Sequence, residues 1–215
     1  MFTAIFLLVL LNARQQVFGQ SKPPQVPCYF IFGDSLVDNG NNNPLQVQAK
    51  ANYPPYGIDF PGGPTGRFTN GKNVADIIAE KLGFNQSIPP YATAKGEQII
   101  NGVNYASGSA GILDETGRHQ GDVISMNEQL QHHQAIILSL SKVLKGVTIT
   151  AEHLQKCLYT VGMGNNDYIN NYLMPDKYKS KSLYSQDQFA TMLSEKYYSQ
   201  LKPRFSPGSR YIGAN

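Results

Sequence analysis

The sequence predicts an α/β sandwich built on a mostly parallel sheet, and three observations carry that expectation. Strand-like and helix-like segments alternate along the chain instead of grouping. Residues 26–32 form a continuous apolar run that ends at Gly33, as a strand buried on both faces does. Three Gly/Asn-rich turns, near residues 35, 108 and 166, each follow a strand candidate directly. In a parallel sheet such turns gather at one edge, where ligands bind beyond the carboxyl ends of the strands.

The elements follow in order. After the first strand, Asn73 can cap a short helix in which Val74, Ile77, Ile78 and Leu82 recur at helical spacing, and Gly83 stops it. Residues 102–106 are a short strand candidate. From Ser125 to Leu144, the positions of Met126, Leu130, Ile137, Leu140, Val143 and Leu144 predict a long amphipathic helix that Gly146 ends. A strand at 156–161 and a helix at about 187–201 complete the pattern. Beyond 201, Pro203 and Pro207 among polar residues break any strand or helix pattern.

Composition narrows the function classes. With 215 residues, 41% hydrophobic and 15% charged, the chain can bury one sizeable core, and disordered, collagen-like and charged coiled-coil proteins are excluded. The net charge of +3 invites an anionic partner, but residues 172–215 hold seven basic against three acidic residues. The basicity thus belongs to the carboxyl-terminal stretch, and no nucleic-acid face is expected. Phe2 to Leu11 is apolar except for Thr3, too short to span a bilayer and suited to a signal peptide over residues 1–19, cut before Gln20. No later run predicts a transmembrane segment. The two cysteines, Cys28 and Cys157, sit in strand-like runs and read as buried core thiols more readily than as a bridge. Asn85-Gln86-Ser87 is the sole glycosylation sequon, usable in a secreted chain.

Chemistry concentrates in the three turns. In Phe32-Gly33-Asp34-Ser35-Leu36-Val37-Asp38-Asn39-Gly40, a serine placed just after a buried strand can present its hydroxyl at the sheet edge, as a nucleophile requires. Residue 37 is Val, so the Gly-x-Ser-x-Gly elbow of α/β-hydrolases is not present. In Asn104-Tyr105-Ala106-Ser107-Gly108-Ser109-Ala110-Gly111, a glycine N–H facing the pocket can stabilise an oxyanion. In Gly162-Met163-Gly164-Asn165-Asn166-Asp167, a side-chain amide offers a second donor. The alternative for each turn alone is a structural cap. Three in this order, each after a strand, favour chemistry.

Gly33-Asp34-Ser35, the Gly108 turn and Gly164-x-Asn166-Asp167 resemble the first three signature blocks of the GDSL esterase/lipase family of the SGNH hydrolase superfamily. The longer run through Asn42, Asn104-Tyr105-Ala106-Ser107-Gly108 and Gly66-Arg67-Phe68-Thr69-Asn70-Gly71-Lys72 resemble its plant secreted branch. The resemblance runs from about residue 27 to about residue 200. It implies a three-layer α/β/α sandwich with a flavodoxin-like sheet, hydrolysis of small-molecule or lipid carboxylic esters, and no metal, cofactor or protein partner. Ser35 would be the nucleophile, and the Ser35 and Gly108 amides with the Asn166 side chain would form the oxyanion hole.

The family's last block, Asp-x-x-His, has no counterpart in this sequence. His119, His132, His133 and His153 all precede the third block, and each reads as a solvated or core-edge residue. The resemblance therefore divides the chain into a signal peptide (1–19), the amino-terminal part of a GDSL hydrolase domain (20–200) and a divergent tail (201–215), as from an altered or shortened carboxyl terminus. It leaves two alternatives beside the esterase: a non-catalytic secreted ligand-binding protein, and an unstable truncated isoform.

Overall fold

The computed structural model describes residues 23–202 and, as backbone, 210–214. The expected signal peptide and the prolines of the tail lie outside the described residues. At the centre is β1 (Tyr29–Gly33), buried along its whole length. It pairs in parallel with β2 (Leu158–Gly162), in a register running from Tyr29 opposite Leu158 to Gly33 opposite Gly162. On the other side of β1, residues 103–107 run alongside it. The Ile31 amide donates to Val103, the Tyr105 amide to Ile31 and the Ser107 amide to Gly33, at 3.1, 2.8 and 3.1 Å. This is the expected strand at 102–106, reduced to a single parallel bridge at Asn104, and Pro90 bridges its outer side.

The helices lie on both faces. α1 (Val74–Leu82) opens with a capping box in which Asn73 and Asp76 exchange side-chain-to-backbone bonds, and it closes on Gly83 at φ +92°. α2 (Met126–Val143) opens on the equivalent box of Ser125 and Glu128 and leads into α3 (Val147–Leu154), a helix the sequence pattern did not announce. α4 (Gln186–Leu201) is boxed by Ser185 and Gln188. Alternation along β1 sorts the core. Tyr29 and Ile31 pack with Ala75 and Ala79 of α1, while Phe30 and Phe32 pack with Met126, Leu130 and Leu140 of α2. The result is the expected α/β/α layering.

This order positions the site. From β1 the chain crosses by α1 to one neighbour, and from there by α2 and α3 to β2 on the opposite side. A parallel crossover is right-handed, so the two reversed moves place α1 and α2 on opposite faces. The carboxyl end of β1 therefore lies at the topological switch point, where a crevice opens between diverging connections.

Two expectations are corrected. The tail is not free of strands: Arg210–Ala214 forms β3, a third parallel strand paired from Arg210 opposite Leu158 to Ala214 opposite Gly162. Its five residues contain no proline, and β2 offers them a row of unpaired backbone groups. The cysteines are not free thiols: Cys28 and Cys157 form a disulfide with their Cα atoms 4.7 Å apart. Each immediately precedes its strand pairing, and the Leu158 amide donates to the Cys28 carbonyl at 2.9 Å, so register brings together residues 129 positions apart. A native disulfide typically contributes about 2–4 kcal/mol to stability. A non-reducing peptide map is expected to recover the two cysteine peptides as one species, and replacing both residues with serine is expected to lower the urea unfolding free energy by about that amount.

Candidate active site

β1 ends where its backbone must pass close to two neighbours. A β-carbon on Gly33 would lie 2.6 Å from Val37 Cγ2 and 3.2 Å from the Gly162 carbonyl, so a side chain there would push Val37 aside and crowd the end of β2. Gln129, fully buried on α2, closes this strand end from the side. Its Oε1 accepts from the Gly33 amide at 3.0 Å and its Nε2 donates to the Gly33 carbonyl at 2.8 Å. The chain then turns: the Asp34 carbonyl accepts from Val37 and Asp38, and Asp34 Oδ1 accepts from the Leu36 amide at 3.0 Å. Ser35 stands half-buried on this turn, between buried Asp34 and exposed Leu36.

The second turn is drawn to the first by side chains. Asn104 Nδ2 donates to the Val37 carbonyl at 2.7 Å, and Asn41 Nδ2 reaches the carbonyls of Asn104 and Ala106 at 2.9 and 2.8 Å. Asn42 Nδ2 donates to the Gly108 carbonyl at 3.0 Å while Ser107 Oγ donates to Asn42 Oδ1 at 2.6 Å. The third turn docks on the second from the other side. Asp167, with no exposed surface, accepts from the Ile112 and Leu113 amides and the Thr116 hydroxyl at 2.8, 3.0 and 2.7 Å. Asn166 Nδ2 donates to the Ala110 carbonyl at 2.9 Å and lies 3.5 Å from Asp34 Oδ2, while its Oδ1 accepts from Asn170. The turns carrying Ser35, Gly108 and Asn166 thus share one sheet edge.

Gly108 is placed differently from its expected part in the oxyanion hole. Its amide donates to Asp38 Oδ2 at 3.0 Å, and a β-carbon there would fall 2.6 Å from Phe68 Cζ and 2.8 Å from Asn42 Nδ2. A buried carboxylate and a packed ring claim the residue, so its N–H is turned inward. The Asn166 amide retains one N–H held only at the long 3.5 Å distance from Asp34. Beside the Ser35 turn, space opens between Val74 and Ile78 of α1 and Thr160 and Gly162 of β2. A groove of about 380 Å³ remains there, bordered by Asp34, Leu36, Val37, Ile78, Val161 and Met163.

A profile of the GDSL-like lipase/acylhydrolase family matches residues 29–202, most of the chain and all three turns. The chain belongs to this family. Among curated relatives of Arabidopsis thaliana, it is 50% identical over 204 residues to GDSL esterase/lipase At1g29670, covering 95% of this chain and 56% of the relative. It is 45% identical over 207 residues to GDSL esterase/lipase At5g45670, covering 96% and 57%, and 46% identical over 215 residues to GDSL esterase/lipase At2g19050, covering 99% and 60%. The chain thus spans somewhat more than half the length of these relatives.

In this GDSL-family chain each histidine makes local contacts, although the buried Nδ1 of His132 finds no hydrogen-bond partner. His119 Nδ1 lies 2.9 Å from the Tyr178 hydroxyl, and burial, then the charge of Lys177, lower its pKa. His132 stacks on Tyr91 with centroids 4.0 Å apart, and burial lowers it against the pull of Glu128. His133 is not the core-edge residue expected: it is buried, bonded to the Tyr105 hydroxyl at 3.0 Å and ringed by Phe30, Phe32 and Tyr159. His153 belongs to α3, and its Nε2 faces the Ile100 carbonyl. Cys28, His153 and Cys157 bring potential metal-ligand atoms within 4.8 Å of one another, but the disulfide consumes both sulfurs and offers no thiolate.

The sequence pattern does not single out Gln129, Asp38, Asn41 or Asn42 as site residues. A glutamine on the apolar stripe of α2 was a readable signal. Asn39-Gly40-Asn41-Asn42-Asn43 reads as ordinary loop chemistry because nothing in the run shows that it is buried.

Burial dominates the ionisation of the site carboxyls. It raises Asp34 and Asp167 above the ordinary carboxylate value, with hydrogen bonds holding back part of the rise. Asp38 is pushed up to about 6, since burial outweighs the amides of Gly40, Asn41, Gly108 and Asn42. A folded-state value above the unfolded one favours folding fully below the unfolded pKa and loses that contribution as pH rises through the folded one. For Asp38 the window runs from about pH 4 to about pH 6, and its amplitude is about 3 kcal/mol. The melting temperature of the chain minus that of Asp38→Asn is therefore expected to fall across this window, as read by thermal melts at stepped pH.

Proposed function

We propose that this chain carries the nucleophile and oxyanion side of a secreted carboxylic ester hydrolase. The carrying observation is the convergence of the Ser35 turn and Asn166 at the carboxyl edge of a parallel sheet, at its switch point. In this reading the Ser35 hydroxyl attacks the acyl carbon. The Ser35 backbone N–H and the Asn166 side-chain amide stabilise the charge that develops on the carbonyl oxygen. Membership of a family of GDSL esterases and lipases supports the reaction class. The apolar groove beside Leu36 and Val37 supports esters with a hydrocarbon acyl part.

No Asp-x-x-His occurs in the 215 residues, and the histidines have the partners described above. Among the described residues, no histidine is therefore placed as a general base for the Ser35 hydroxyl. What the oxyanion donors and binding alone supply in triad-deficient hydrolases is on the order of 10³–10⁴ over water. The engagement of the four histidines elsewhere in the fold favours a second reading, a protein that keeps the ester-binding cleft without turnover.

A fluorophosphonate probe applied to the purified chain is expected to form one slow adduct, mapped to Ser35 and abolished in Ser35→Ala. A cooperatively folded chain with no Ser35 adduct would overturn the hydrolase reading. p-Nitrophenyl butyrate turnover at a rate typical of complete esterases would overturn the binding-protein reading.

The apolar run before residue 12 supports export. Among the described residues, no helix is long and apolar enough to cross a membrane. Asn85 is exposed in the loop after α1, where a transferase can reach its sequon. Expressed in plant cells, the chain is expected in the medium with Gln20 at its amino terminus and a glycosidase-sensitive mass that Asn85→Gln removes. Retention in the cell with residues 1–19 intact would contradict this route.

A further inference from the structure

We propose that Asp38 is a positioning residue of the Ser35 site, its buried carboxylate setting the separation between the nucleophile turn and the turn that anchors Asn166. The proposal rests on the hydrolase reading for its catalytic meaning, but its geometry stands alone. Asp38 has no exposed surface, and its two oxygens face different segments. Oδ1 accepts from the Gly40 and Asn41 amides at 2.7 and 2.8 Å, while Oδ2 accepts from Gly108, seventy residues away, at 3.0 Å.

The consequences run through named bonds. Orienting the Gly40–Asn41 backbone aims the Asn41 side chain at the carbonyls of Asn104 and Ala106, and the adjacent Asn42 at that of Gly108. These bonds fix the second turn, whose Ala110 carbonyl receives Asn166 Nδ2. Asp38 touches neither Ser35 nor Asn166 in this chain of contacts. It acts through the turn between them.

The groups that face the Asp38 carboxylate are the amides of Gly40, Asn41, Asn42 and Gly108. The charged side chains nearby on the fold are turned elsewhere. Asp34 serves the Leu36 amide and approaches Asn166, and Arg67 holds Asp76 of α1 at 2.7 and 2.8 Å. An ionised Asp38 thus holds both turns by charge-assisted bonds, and protonation replaces one acceptor with a donor that has no carbonyl to meet in this set.

The test is a pH series of nitrogen–proton spectra on the full isotope-labelled chain. The Gly40, Asn41 and Gly108 amide resonances are expected to move through one shared midpoint, and the Asn166 side-chain amide to move with a component at that same midpoint. Asp34 lies against Asn166 and contributes its own step, so the Asp38 component is the one lost in Asp38→Asn. A Gly108 amide that does not move with pH overturns the clamp. A Gly108 amide that titrates while the Asn166 side chain stays still at that midpoint overturns the positioning role and leaves a structural one. If Asp38→Asn does not fold, the shared midpoint in the unsubstituted chain still decides. A missing Ser35 adduct alongside coupled Gly108 and Asn166 titration would sink the hydrolase reading without touching this geometry.

Discussion

A carboxylate taken out of water must be surrounded by N–H groups, and that requirement organises the sheet edge of this protein. Asp38 draws donors from its own loop and from the Gly108 turn, and Asp167 draws donors from Ile112 to Thr116. Turns beyond the ends of strands have no ladder to satisfy their backbone groups. Here amide and carboxylate side chains take the place of the ladder. Asn41, Asn42 and Asn104 extend the same lattice, each bonding a carbonyl that neighbouring strands leave open. Because burial pushes Asp38 up to about 6, ionised Asp38 costs folding stability at neutral pH, and what it returns is a defined spacing between two turns.

The sheet beneath explains why these turns meet. β1 is buried on both faces because helices lie on opposite sides of it, and the reversal of chain direction around β1 opens the crevice above its carboxyl end. Gln129 ties α2 to that end by bonding both backbone groups of Gly33. The disulfide pins the opposite ends of β1 and β2, so the central strand pair is held at its entry by a covalent bond and at its exit by a buried amide. The Ser35 turn is thus mounted on a strand held at both ends.

Mounting a serine is not the same as activating it. The hydroxyl needs a base, and the histidines of the described residues are held by Tyr178, Tyr91, Tyr105 and the Ile100 carbonyl. His133 shows how firmly: an imidazole enclosed by four aromatic rings in the core is separated from the sheet edge by packing that would have to come apart to release it. Family membership and the chemistry this chain performs alone are therefore different questions, and the relatives, of which it spans somewhat more than half, speak to the first.

Local chemistry made much of this legible. Asn73, Ser125 and Ser185 announce helix starts, Gly83 a helix end, and the alternation of apolar runs with Gly-rich turns the α/β layering, because caps, periodicity and turn residues act within a few positions of chain. The sequence by itself also determined that Ser35, Gly108 and Asn166 lie on turns after strands. What it did not determine depends on register and on burial across long separations. Parallel pairing of β1 with β2, and not anything near either cysteine, joins Cys28 to Cys157. The approach of Phe68 and Asp38, forty and seventy residues distant, turns the Gly108 amide inward. A run of asparagines becomes a buried lattice only when the second turn arrives to cover it, since a side-chain amide reads the same in a solvated loop as in a core until its partners are in place.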